Sequence, residues 1–131
     1  MSLSKRALSC LLIVTFILVG VFSLSSTEAF AMGSKGSSNL KFQTDANNYS
    51  KNATSIVVTG FSPNSNGVLV MLYKKGNNTP IKQIETFNYG NYKVSFLLKG
   101  LSAGKYDIHV DTYWGPQRYH SELTNYLNVA R

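Results

Sequence analysis

Three polar residues at alternate positions, Asp107, His109 and Asp111, are the first place in this chain where residue type and spacing could do chemistry. On an extended strand, alternate side chains leave one face about 6.6–6.8 Å apart. An imidazole between two carboxylates is a donor set suited to zinc or a similar ion. A complete site needs further ligands from a neighbouring strand. The plainer reading is a solvent-facing polar row behind a buried row of Tyr106, Ile108 and Val110. A second group follows at once, with Tyr113, Trp114, Tyr119 and His120 gathered around Gly115-Pro116. Flat rings with a polar edge stack on sugars or on protein surfaces, and Tyr and Trp are enriched at binding hot spots. Here the plainer reading has Trp114 closing one end of the fold and the tyrosines packed within it. Sequons begin at Asn48, Asn52 and Asn77. They lie in stretches that read as loops, where glycosylation acceptors belong.

Catalysis finds little support. A nucleophile needs a base and an orienting partner. No G-x-S-x-G, H-E-x-x-H or phosphate-binding loop occurs, and the one cysteine, Cys10, sits in an apolar run near the start. No enzyme activity and no cofactor are expected.

The elements that position these residues read as strands. Period-2 alternation or β-branched runs mark residues 40–43, 55–61, 68–73, 81–87, 92–99, 105–111 and 123–129. The run at 68–73, VLVMLY, is apolar on both faces and reads as central, whereas 81–87 reads as an edge strand. Residues 45–52 read as turn. Residues 88–91, NYGN, read as a hairpin turn with Gly90 at positive φ. About seven short strands with no helical period predict an all-β, antiparallel β-sandwich over residues 39–131.

Ahead of it, Lys5 and Arg6 precede an apolar run at 7–24, and Ala29-Phe30-Ala31 offers a cleavage site. This hydrophobic helix reads either as a cleaved signal peptide, residues 1–31, or as an uncleaved membrane anchor. Both readings place the domain outside the cytoplasm, secreted or at the cell surface. Residues 32–38, MGSKGSS, read as a flexible leader. The net charge of +7 is scattered over the chain. It forms no basic stripe of the kind nucleic-acid readers carry.

The segment LKGLSAGKYDIHV resembles the corner of immunoglobulin-like and fibronectin type III-like domains. By that resemblance Leu101, Gly104 and Tyr106 stand where the chain crosses between sheets, and the Tyr106 hydroxyl bonds to backbone a few residues upstream. The order from Ile56 to Val110 is also similar to the prealbumin-like modules of carboxypeptidase regulatory domains. The expected function is therefore a non-catalytic binding, adhesion or structural module of the cell envelope. A glycan, an envelope polymer or a protein is the expected ligand. The alternatives are a carbohydrate-binding module using the aromatic loop and, further off, metal-dependent binding.

Overall fold

The computed structural model describes residues 31–112 and 118–131. Over these residues the chain is all β, with ten strands in two sheets that pack face to face in a sandwich-like fold. The smaller sheet runs in the order β2 (Phe42–Thr44), β4 (Ser55–Ser62), β7 (Gly90–Leu97), antiparallel throughout. The larger sheet is built on β8 (Gly104–Asp111). One edge of β8 pairs with β5 (Leu69–Lys74), which carries β6 (Lys82–Glu85) as the sheet's edge. The other edge of β8 is shared between two strands. Residues 104–106 pair with β10 (Leu127–Val129) and residues 109–111 with β9 (His120–Leu123). Beyond them, β1 (Ser34–Gly36) pairs antiparallel with β9, and β3 (Asn48–Tyr49) pairs parallel with β10.

Alternation explains why these strands form a core. On β4 the inward residues Ile56 and Val58 are buried, as are Tyr106, Ile108 and Val110 on β8. They meet Val70, Leu72 and Phe96 in one apolar cluster that spans both sheets. Each such side chain stabilises the fold by about 1.5–3 kcal/mol through removal from water. Asp107 manages the point where β8 changes partner. Its Oδ1 accepts the N–H of Leu123 at 3.3 Å, just where β9 leaves the ladder, and that of Ile108 at 2.8 Å. A backbone donor that would otherwise lose its partner is thereby satisfied.

The seven expected strands are found, with corrections around them. The expected leader is built into the fold, because Met32 is buried in the core and β1 pairs with β9. The turn-rich stretch 45–52 contains β3. There Tyr49 is buried, and its hydroxyl donates to Asp45 Oδ1 at 2.6 Å. The last expected strand is two strands, β9 and β10, and the β3–β10 pair is parallel. Gly90 has φ 110°, as expected, but β6 and β7 lie in different sheets, so residues 86–89 form a crossing and not a hairpin. The hydrophobic helix expected at the N-terminus falls in residues 1–30, outside the described residues.

Candidate functional site

Two groups of side chains stand out, one on the outer face of the larger sheet and one at an end of the sandwich. The face group comes from β8 and β9. Register places His109 opposite Glu122 and Asp111 opposite His120. Because Ile108, Val110, Ser121 and Leu123 point into the core, the alternate residues must all leave the opposite face. His109 Nε2 lies 3.1 Å from Asp107 Oδ2 and 3.3 Å from Glu122 Oε2. His120 Nδ1 is hydrogen-bonded to Asp111 Oδ1. Ligand-type atoms of His109, His120 and Glu122 all lie within 4.8 Å of one another.

The two imidazole rings meet edge to face, with centroids 5.1 Å apart, and the Tyr73 ring of β5 packs against His109 at 4.4 Å. The hydrogen bond that His109 donates to Asp107 raises the His109 pKa above its ordinary value. Partial burial opposes that shift, and the charges of Asp107, Glu122 and Asp111 reinforce it. The acidic neighbours of His109 thus favour positive charge at this position, whether a proton or an ion.

The comparisons find no match to this chain among family models, curated proteins or solved structures. The site therefore rests on its own geometry.

The second group is aromatic. β4 ends at Ser62 opposite the start of β7 at Gly90, while Leu69 opens β5 opposite Glu85 and Asp111. The connections 63–68 and 86–89 therefore meet at one end of the sandwich, where β8 also ends at Asp111 and β9 begins at His120. Phe87 and Tyr89 are both 65% exposed there, and Phe61 is 39% exposed. Phe61 and Tyr89 meet edge to face, with centroids 5.3 Å apart.

Of the residues singled out in the sequence, Asp107, His109 and Asp111 do share one outer face, with Tyr106, Ile108 and Val110 buried behind them. His120 is exposed and is hydrogen-bonded to Asp111 of this row. Tyr119 is half-buried and packs against the core. Tyr113 and Trp114 lie outside the described residues. Asn52 and Asn77 are exposed in loops. Asn48 lies in β3, where its Oδ1 accepts from Asn128 Nδ2 at 2.9 Å. Leu101 packs against the core, Gly104 opens β8, and the Tyr106 hydroxyl donates to the Ser102 carbonyl at 2.7 Å. Sequence reasoning missed Glu122 and the exposed ring of Phe87. The signal for Glu122 was the short alternation His120-Ser121-Glu122-Leu123, polar and inward by turns.

Proposed function

We propose that this chain is an exported, non-catalytic module of immunoglobulin-like type that binds glycan at the end of its sandwich. The strand order β2-β4-β7 against β6-β5-β8-β10-β3, with the Tyr106 hydroxyl bonded back to Ser102, supports the immunoglobulin-like reading. The basic and apolar N-terminal residues support export. One observation carries the ligand class, the exposure of Phe87, Tyr89 and Phe61 together at the end where the connections 63–68 and 86–89 meet.

Rings left in water at one place mark a binding surface more often than rings scattered singly. Asn66, Asn88 and Asn91 are exposed on the same connections and strand ends. Aromatic faces cover the C–H face of a sugar, while amides donate to and accept from its hydroxyls. The β8–β9 connection, which contains Tyr113 and Trp114, begins and ends at this end. Titration of the full chain against a panel of envelope glycans tests the reading. Binding that falls at least about tenfold in the Phe87→Ser/Tyr89→Ser variant, with the fold retained, is expected. Absence of any glycan binding, or equal binding by that variant, overturns it.

A further inference from the structure

We infer that His109, His120 and Glu122 form a binding site for a zinc-class divalent cation on the outer face of the larger sheet, with Asp111 orienting the His120 imidazole. This goes beyond the glycan reading and does not rest on it, because the cluster sits on the sheet face and not among the exposed rings.

Geometry comes first. Two ligands bonded to one zinc at 2.0–2.1 Å in a tetrahedral arrangement lie about 3.3–3.4 Å apart. His109 Nε2 and Glu122 Oε2 are already 3.3 Å apart in the folded chain. A ring nitrogen of His120 lies within the same 4.8 Å group, so side-chain rotation brings the third ligand to the ion. A metal-bound imidazole commonly gives its other ring nitrogen to a carboxylate, which fixes its orientation. Asp111 already holds Nδ1 of His120 and so leaves Nε2 for an ion. Asp107 Oδ2 lies 3.1 Å from the same His109 nitrogen, Nε2, that faces Glu122, while its Oδ1 is fixed by the N–H groups of Ile108 and Leu123, so it adds negative charge beside the ion. All five residues stand on paired strands, which hold a site more firmly than loops do.

Charge points the same way. Asp107, Asp111 and Glu122 have ion-pair partners among the described residues only in the two histidines. Two lysines line the adjoining groove with Tyr73 and Tyr126, but both are engaged elsewhere. The Lys74 ammonium bonds the Ser102 hydroxyl, and the Lys75 ammonium lies over the Tyr126 ring. Asp107 and Glu122 thus face this groove with neither lysine paired to them. The donor set selects the ion. Two imidazoles and one carboxylate suit zinc and its first-row neighbours, whereas calcium and magnesium take oxygen ligands.

The chain has only two histidines, and both belong to this cluster. Nitrogen-15 NMR of the imidazoles in the full chain therefore sees the site and nothing else. On addition of zinc chloride, the ring nitrogens of His109 and His120 should shift together and stop shifting at one zinc per chain. Glu122→Gln, at a partly exposed position, should keep the fold and weaken zinc binding by about tenfold or more. Either imidazole unmoved at saturating zinc, or wild-type affinity in Glu122→Gln, overturns the site. An equal response to calcium also overturns it.

Discussion

The phenolic hydroxyl of Tyr106 donates a 2.7 Å hydrogen bond to the carbonyl of Ser102, four residues upstream, and the whole side chain is buried. This bond fastens the chain where it passes from β7 in one sheet to β8 in the other. Tyr106→Phe removes the donor and leaves a carbonyl beneath the ring without its partner. A loss of about 1–2 kcal/mol is expected. It should appear as a lower urea midpoint with an unchanged slope.

Alkaline pH should unfold the protein through its buried phenols. Burial, the bond to Asp45 and the charge of Asp45 together raise the pKa of Tyr49, and burial raises that of Tyr92. Both folded values stand above the unfolded value of about 10. Their contribution to stability is therefore complete below pH ~10 and is lost as pH rises beyond it. Each contributes a slope of up to about 1.4 kcal/mol per pH unit there. Urea melts between pH 9 and pH 11 should show the fall. Tyr49→Phe should reduce its slope while lowering stability at neutral pH by about 1 kcal/mol through loss of the Asp45 bond.

Gly60 and Tyr92 are cross-strand partners, and the Tyr92 ring lies over the glycine. A methyl group at Gly60 would stand 2.4 Å from the Tyr92 hydroxyl oxygen and 3.0 Å from Phe42 Cβ. Gly60→Ala should cost about 1–3 kcal/mol by overpacking. The Tyr92 hydroxyl is itself buried and lacks a hydrogen-bond partner among the described residues. Tyr92→Phe should accordingly leave stability unchanged or raise it by up to about 1 kcal/mol. A drop in melting temperature for Tyr92→Phe would contradict this account.

Asp107→Ala should loosen β9 more than the rest of the sheet. It removes the acceptor of the Leu123 N–H while leaving the core apolar residues in place. Amide hydrogen exchange at Leu123 should accelerate by about tenfold or more, and exchange at Val58 should change little. Equal acceleration at both amides would place the role of Asp107 in global stability instead.

The sequence made β8 legible because one face is fully buried. Tyr106, Ile108 and Val110 had to alternate with Asp107, His109 and Asp111, and the half-site followed from that alternation. Its completion was not legible. Glu122 and His120 reach His109 through cross-strand register, which turn geometry and packing decide and which no local spacing encodes. β1 was hidden for a different reason. Ser34-Lys35-Gly36 has poor strand propensity, and the β9 edge and the buried Met32 impose its conformation. β3 was concealed by its Asn-rich neighbours, since two residues are too few to show a period. What marks it is the Tyr49–Asp45 hydrogen bond, and a sequence carries no direct sign of such a bond.

The parallel β3–β10 pair has a mechanical consequence. Pulled from opposite ends of the chain, two parallel strands slide past each other, so their hydrogen bonds bear the force together. The antiparallel β1–β9 pair is loaded at one end and opens bond by bond. Tension on a tethered copy should therefore peel β1 away at low force and meet its main resistance at Asn48–Tyr49 against Leu127–Val129, leaving the face that carries His109 intact until that clasp gives way.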